Sequence, residues 1–535
     1  MMMDYPLTLQ HFLERNRRLF GSKRIVSRTK SGLHRYSCAD YVRRVDRLAN
    51  ALKSLGVGHG DRIGTLAWNT YRHLELYFAV PCMGAVLHTI NLRLSPEHIA
   101  FIVNDAGDRL LVVDHEILPL VERIRPALTT VDQIIVMSDE PDLSDDFLDY
   151  EALLAAASDE FIWPELDENA AAGICYTSGT TGNPKGVVYS HRALYLHSMG
   201  IAQVDNLGLS ESDRVLPVVP MFHANAWGLV HTAVAVGADQ ILPGPAPTPA
   251  DILSLIESER VTISAGVPTV WIGALAEIRR GERQYDLSSL RTIAIGGSAP
   301  PPSLIEAYRR EISVPILHAW GMTETTPVAS VCRIKTTMLN LSEEERFDIL
   351  TKQGPAVMGV DLTIVDDAGN EVPWDGVSFG EIVVRGPWIT AGYLHTDTPD
   401  RFINGWFRTG DVATIDPEGY VQIVDRTKDL VKSGGEWISS VELEGKIMGH
   451  PDVLEAAVIA IPDEMRGERP LALVVARPGA TLSKDDILEH LRPQVDRFAL
   501  PDDVVFIEEV PKTSVGKFDK KVLRERHSTS RNLAR

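Results

Sequence analysis

Tyr176-Thr177-Ser178-Gly179-Thr180-Thr181-Gly182-Asn183-Pro184-Lys185-Gly186-Val187 sets two hydroxyl pairs, three glycines and one lysine within twelve residues. It follows the apolar Ala171 to Cys175 and precedes the apolar Val187-Val188. Glycines let a backbone approach an anion closely, and hydroxyls and amides wrap its oxygens. The spacing is not the Walker pattern, because no Gly-Lys-Ser/Thr runs into a helix. On residue types alone the stretch also reads as a flexible turn. The segments on either side decide between the two.

Working outward, helical and strand patterns alternate. Leu9, Phe12 and Leu13, then Tyr41, Val45, Leu48 and Leu52, recur at helical spacing, so residues 8–56 read as helices. Ile63 to Trp68, Val86 to Thr89, Leu110 to Val113, Ile134 to Met137 and Ala171 to Tyr176 read as strands, with helices at His73 to Gly84 and Pro96 to Asp105. The alternation resumes with strands at Arg214 to Pro217, Asp239 to Leu242, Val261 to Ala265, Thr292 to Ile295 and Val314 to His318. Helices are expected from about Asn225 and over 249–258 and 302–312. This is an α/β pattern. From Gly354 short strands with Gly, Pro and Asp turns suggest a small barrel. After the charged Asp425 to Asp429, about 105 residues form a separate α/β unit.

Composition bounds the function. The chain has 535 residues, 44% apolar and 24% charged, as in a soluble globular protein. A net charge of −20 disfavours nucleic acid, although a local basic patch around a nucleotide is compatible with it. Cys38, Cys82, Cys175 and Cys332 are too widely spaced for a zinc site or a disulfide framework. The first twenty residues lack a secretory pattern and no stretch is apolar enough for a membrane span, so the expectation is a cytoplasmic protein.

Five later segments stand in order behind the glycine-rich one: His318-Ala319-Trp320-Gly321-Met322-Thr323-Glu324-Thr325-Thr326, Trp406 to Asp411, Asp425-Arg426-Thr427-Lys428-Asp429, Lys432-Ser433-Gly434-Gly435-Glu436-Trp437, and Pro511 to Lys517. With the first, they resemble the phosphate loop, second nucleotide motif, ribose motif, interdomain hinge, coenzyme A loop and catalytic-lysine motif of the adenylate-forming enzymes. That superfamily holds acyl-CoA synthetases, firefly luciferases and peptide-synthetase adenylation domains. The resemblance spans essentially the whole chain and is nearest to bacterial medium- and long-chain fatty acyl-CoA synthetases and to 3-methylmercaptopropionate ligases.

The resemblance implies a large N-terminal domain of layered α/β sheets plus a small β-barrel subdomain over 1–424, a hinge at 425–429, and a small mobile α/β C-terminal domain over 430–535. It implies two steps: a carboxylic acid and ATP give an acyl-adenylate and pyrophosphate, and coenzyme A then gives acyl-CoA and AMP. Such a site needs cations in place before an anion meets a polyanion. By resemblance Lys517 bridges the acyl carboxylate and the α-phosphate. Thr177, Ser178, Gly179, Thr180, Thr181, Gly182 and Lys185 hold the phosphates, with Thr323 as a further contact. Thr177 and Glu324 match the magnesium contacts. Gly297, Ser298 and Ala299, with His318, Ala319, Trp320 and Gly321, form the adenine slot, and Asp411 with Arg426 binds the ribose.

In Pro220 to Gly228, His223 and Trp227 stand at i and i+4, on one face if helical. A core-packed pair has the same spacing. The resemblance makes Trp227 the gate of a fatty-acid tunnel and His223 a residue beside the acyl carboxylate and the thiol route. Lys428 marks the hinge. Lys432, Ser433, Gly434, Gly435, Glu436 and Trp437 line the coenzyme A channel, with Lys432 entering as Lys517 leaves. A homodimer through Met1 to Phe20 is expected, no nucleic acid partner, and no membrane span.

Three other readings compete with this one. A short-chain or 3-methylmercaptopropionate ligase shares the same nucleotide motifs. A fatty acyl-AMP ligase carries an inserted segment, and none is evident near 330–425. A catalytically silent nucleotide-binding scaffold would be expected to lack Lys517, Glu324 or Asp411, and all three are present.

Overall fold

The computed structural model describes residues 1–139, 143–177, 183–426, 428–433, 436–463, 465–512 and 518–527, without the side chains of residues 436 and 437. Two large sheets share one core. The first has eight strands in the order Val328–Val331, Ile316–Gly321, Thr292–Ile295, Ile263–Gly266, Arg214–Pro217, Asp239–Leu242, Arg24–Thr29 and Gly32–Ser37. The second has seven: Leu148–Asp149, Gln133–Met137, Asp108–Asp114, Arg62–Leu66, Val86–Thr89, Ala171–Tyr176 and Gly186–Ser190. Their central pairings are parallel, and the strands are buried along their length, as expected of sheets covered on both faces. The helix Tyr71–Cys82 is buried at every position. It shares a core with Ile25 and Leu242 of the first sheet and Ile63, Leu87 and Leu110 of the second. A helix covered all round has no polar face to present, and this one is apolar over most of its length.

The expectation of helices throughout 8–56 is corrected. Helices Gln10–Leu19 and Cys38–Ser54 form, the second opened by a Ser37–Asp40 capping box, but Arg24–Thr29 and Gly32–Ser37 between them are an antiparallel hairpin. Arg24–Thr29 also pairs in parallel with Asp239–Leu242, so a partner more than 200 residues away in sequence stabilises it. The second strand has no buried residue, which hides the alternation that marks a strand. The helix expected from about Asn225 begins at Leu229, after a turn described below.

Beyond residue 354, strands Asp361–Val365, Phe379–Arg385, Phe402–Ile403, Trp406–Ile415 and Val421–Arg426 form an antiparallel sheet of five. Among the described residues its pairings do not close into a ring, so the expected barrel is here a sheet. The last unit has a mixed five-stranded sheet, Val431–Ser433, Glu436–Ile438, Val453–Asp463, Gly467–Ala476 and Asp503–Phe506. Helices Ser440–Met448, Lys484–Leu491 and Lys520–His527 accompany it. All four cysteines are buried and free. Among the described residues no helix is long and apolar enough to cross a membrane.

Candidate active site

The ends of the strands converge on one cavity of about 330 Å³. Ligands of open α/β sheets bind outside the carboxyl ends of strands, and three such ends build this one. Ala171–Tyr176 brings Thr177 to the rim and returns as Gly186–Ser190, with Tyr176 opposite Gly186. The strands on either side of the glycine-rich stretch therefore pair antiparallel, and the one that follows it is a strand and not a helix. The Thr177 amide donates to the Lys185 carbonyl at 2.9 Å, and the Lys185 amide to Thr177 Oγ1 at 3.2 Å. Thr292–Ile295 leads into Gly296 and Gly297, and Ile316–Gly321 leads into the turn carrying Thr323 and Glu324.

Two glycines are there for space. A Cβ on Gly296 would sit 2.8 Å from the Ala319 carbonyl oxygen and 3.3 Å from the Trp227 indole. A Cβ on Gly321 would sit 1.8 Å from the Pro327 carbonyl oxygen, so no other residue fits between the strand and its return.

His223 and Trp227 both line the cavity, but not as neighbours on an α-helix. Ala224, Asn225, Ala226 and Trp227 all have positive φ, between 42° and 58°, and Gly228 follows at 77°. Left-handed backbone at a non-glycine residue costs of order 1 kcal/mol or more each and persists only where packing enforces it. Here it does: Ala224, Ala226 and Trp227 are at most 6% exposed. A Cβ on Gly228 would meet the His197 ring at 2.5 Å. The turn holds the Trp227 indole against the Gly296 backbone at the cavity wall.

Asp411 lies on Trp406–Ile415 directly across from Arg426 on Val421–Arg426. Its Oδ1 accepts from Arg426 Nε at 3.1 Å and its Oδ2 from the Trp320 indole N–H at 2.9 Å. The carboxylate is 5% exposed and lies behind Trp320 and Arg426, which themselves line the cavity. A carboxylate has about four acceptor sites, so lone pairs remain for hydroxyl donors. The adjacent Asp411 carboxylate raises the pKa of Arg426, which keeps the guanidinium charged.

At the other end, Glu324 Oε1 accepts from the Tyr393 hydroxyl at 2.7 Å, and the Lys185 ammonium sits 5.1 Å from the centre of the Tyr393 ring. Burial and then the Glu324 charge push the Tyr393 pKa well up, so the phenol stays a donor. Two backbone bonds fix this segment. The Thr390 amide donates to the Glu324 carbonyl and the Leu394 amide to the Gly186 carbonyl, both at 2.8 Å. Thr323 is held by its own carbonyl, which accepts from the Tyr189 hydroxyl at 2.7 Å. Lys428 also faces the cavity, and burial lowers its pKa. The described lining thus carries Lys185, Arg401, Arg426 and Lys428 against one carboxylate, Glu324. It is a basic pocket in a chain of net charge −20.

Among the described residues no group of three or more His, Cys, Asp or Glu could cage a metal ion. Glu324 with the Thr177 hydroxyl nevertheless fits magnesium, which keeps several waters and takes phosphate oxygens alongside one or two protein ligands.

Of the expected residues, Thr177, Lys185, His223, Trp227, Gly297, Ala319, Trp320, Gly321, Thr323, Glu324, Arg426 and Lys428 meet at this cavity. Ser298 and Ala299 are exposed and outside its lining. His318 is also outside it: Nδ1 bonds the Thr351 carbonyl at 3.0 Å, Nε2 the Gln353 amide at 3.3 Å, and burial lowers its pKa to about 4. Lys432 and Ser433 are outside the cavity lining, on a strand antiparallel to Glu436–Ile438 in which Lys432 pairs with Trp437 and Ser433 with Glu436. The exposed Lys432 donates its amide to Glu468 at 2.8 Å, and the Ser433 hydroxyl accepts from Arg469 at 3.0 Å. Ser178, Gly179, Thr180, Thr181, Gly182, Gly434, Gly435 and Lys517 lie outside the described residues, as do the side chains of Glu436 and Trp437. Sequence reasoning missed Tyr393 and Arg401. Neither belongs to a spaced pattern; both reach the cavity through sheet packing.

Comparison with known proteins agrees with this geometry. The "AMP-binding enzyme" family matches residues 13–394 and the "AMP-binding enzyme C-terminal domain" matches 442–517. A long-chain-fatty-acid–CoA ligase of Thermus thermophilus is 50% identical over 531 residues, covering 98% of this chain and 96% of that one. A 3-methylmercaptopropionyl-CoA ligase of Ruegeria lacuscaerulensis is 42% identical over 532 residues, covering 98% of each. Among solved structures, the anthranilate CoA ligase AuaEII in complex with anthranoyl-AMP superposes with a TM-score of 0.88 at 28% identity, covering 99% of both chains.

Proposed function

Because the chain belongs to the AMP-binding enzyme family and is an AMP-forming acid–thiol ligase, we propose that its acid is a medium- or long-chain fatty acid. The observation that carries this reading is Trp227. It is held by a left-handed turn on the wall of the cavity that also holds the nucleotide-motif residues, where an apolar gate between acyl chain and adenylate belongs. The 50% identity to a ligase named for long-chain fatty acids supports it.

In the proposed mechanism the purine lies against Trp320 and Gly297, the ribose hydroxyls reach Asp411 and Arg426, and the phosphates extend toward Lys185, Thr177 and Thr323. The glycine-rich residues Ser178 to Gly182 add their amides. Magnesium, held by Glu324 and Thr177, supplies charge neutralisation on the phosphates when bound. Lys517 orients the acyl carboxylate for attack at the α-phosphorus and balances the charge that builds there. His223 lies beside the carboxylate.

The unit 430–535 then turns about Lys428 in the 425–429 hinge, withdrawing Lys517. Lys432 and the residues Ser433 to Trp437 come forward to line the thiol's path. Closure of this kind keeps water from the mixed anhydride. Lys428 lines the cavity and Lys432, four residues on, does not, which suits a rearrangement between the steps. The exposed apolar side chains of Met1, Met2, Met3 and Tyr5, before a helix whose own Phe12 and Leu13 are buried, support a homodimer. Cytoplasmic placement rests on the sequence alone.

The test is a panel of acids from propionate and 3-methylmercaptopropionate to palmitate, with ATP, magnesium and coenzyme A, run on the wild type and on Trp227→Ala. The wild type is expected to prefer medium or long chains. The variant should shift that preference by several methylenes, each worth about 0.8 kcal/mol when buried, while the KM for ATP moves less than about twofold. A maximum at the short thioether acid assigns the same machinery to the 3-methylmercaptopropionate reaction, as the 42% relative allows. An unchanged profile in the variant contradicts the gate.

A further inference from the structure

Arg401 is a charged group at the cavity that the roles above leave unused. It ends the short turn Pro399–Arg401 and lines the cavity beside Tyr393, Thr409 and Gly410. Its guanidinium lies 5.3 Å from the centre of the Phe407 ring. One of its outer nitrogens is a long 3.5 Å from the Thr409 carbonyl. Among the described residues it pairs with no carboxylate, and its Nε–H is buried without any acceptor. A buried donor left unmade is costly, and such groups in a native protein call for a reason.

The direction of the cation supplies one. Tyr393 donates to Glu324 and lies under Lys185. Phe407 lies beside both Tyr393 and Arg401, 6.5 Å from the Tyr393 ring and 5.3 Å from the guanidinium, so Arg401 stands by the tyrosine that joins Lys185 to Glu324, and its planar fork suits two oxygens of one anion. We propose that Arg401 binds the terminal phosphates of ATP and the pyrophosphate that leaves, as a cation additional to Lys185. The inference rests on the acyl-CoA ligase reading. The rival account is a purely structural arginine that closes its own turn, where the Thr398 hydroxyl likewise has no partner.

The experiment compares Arg401→Met, which keeps the stem on Phe407 and removes the fork, with Arg401→Lys, which keeps only the charge. Acid-dependent exchange of labelled pyrophosphate into ATP reads the first step. Thioester formation from supplied acyl-adenylate, which carries no terminal phosphate, reads the second. For Arg401→Met the KM for pyrophosphate should rise at least about tenfold, as for loss of a charge-assisted hydrogen bond. Arg401→Lys should recover part of it, and the second step should change less than about twofold in both. Equal losses in both steps, or an unchanged pyrophosphate KM in a variant that melts like the wild type, overturns the proposal in favour of the structural arginine. A wild type that exchanges no pyrophosphate with any acid overturns the ligase reading itself, and this role with it.

Discussion

Lys517→Ala is expected to slow acyl-adenylate formation by about 10²–10³-fold, the usual effect of removing one group that stabilises developing charge. Thioester formation from supplied acyl-adenylate should stay within a few-fold of the wild type. The asymmetry follows from the chemistry. Only the first step brings a carboxylate onto a triphosphate, and only there does a lysine between the two anions lower the barrier. Lys517 lies outside the described residues, but the chain just after it is well anchored. The Lys520 ammonium sits 2.7 Å from Glu444, both nearly buried, and Arg524 sits 2.7 Å from Asp429 in the proposed hinge. Asp425, also in the proposed hinge, accepts from the Ser440 amide and hydroxyl at 2.6 and 2.5 Å. The helix Lys520–His527, three residues beyond Lys517, is thus tied to Ser440–Met448 and to the segment about which the last unit is proposed to turn. Rapid-quench measurement of each half-reaction decides the matter: equal losses in both contradict the role.

Asp411→Asn is expected to lower kcat/KM for ATP by about 30- to 100-fold, the equivalent of about 2–3 kcal/mol of charge-assisted hydrogen bonding. The substitution is nearly isosteric, yet it does not fit. Both carboxylate oxygens already accept from donors, Arg426 on one side and the Trp320 indole on the other. An amide must aim its own N–H₂ at one of them. Arg426 or Trp320 then loses its anchor, and with it the wall proposed to carry the nucleoside. Arg426 is 39% exposed, so water softens the cost to folding. The variant should melt within a few degrees of the wild type while the KM for ATP rises. A large fall in stability with an unchanged KM for ATP would mean that Asp411 serves the sheet and not the sugar.

Much of this architecture was legible because its signals are local. Buried parallel strands such as Thr292–Ile295 announce themselves as short apolar runs, and the motif segments carry their chemistry in contiguous residues. What sequence reasoning misread depends on distant partners. Gly32–Ser37 is solvated on both faces and is a strand because Arg24–Thr29 stands beside it. The turn Ala224–Trp227 uses ordinary residues in a backbone conformation that no composition signals, and packing against His197 and Gly296 enforces it. His318 belongs to a nucleotide motif, yet both of its ring nitrogens are committed to Thr351 and Gln353. Tyr393 and Arg401 reach the cavity only when Leu394 docks on Gly186 and the five-stranded sheet folds against the larger ones.

The most direct test of the acyl-adenylate route uses a fatty acid labelled with ¹⁸O in its carboxylate, incubated with the protein, ATP, magnesium and coenzyme A. Mass spectrometry then reads the AMP and the phosphate products. Attack of the carboxylate on the α-phosphorus, followed by departure of the adenylate's oxygen with AMP, predicts one labelled oxygen in AMP and none in pyrophosphate. Unlabelled AMP, or label in orthophosphate with ADP as the nucleotide product, would contradict it.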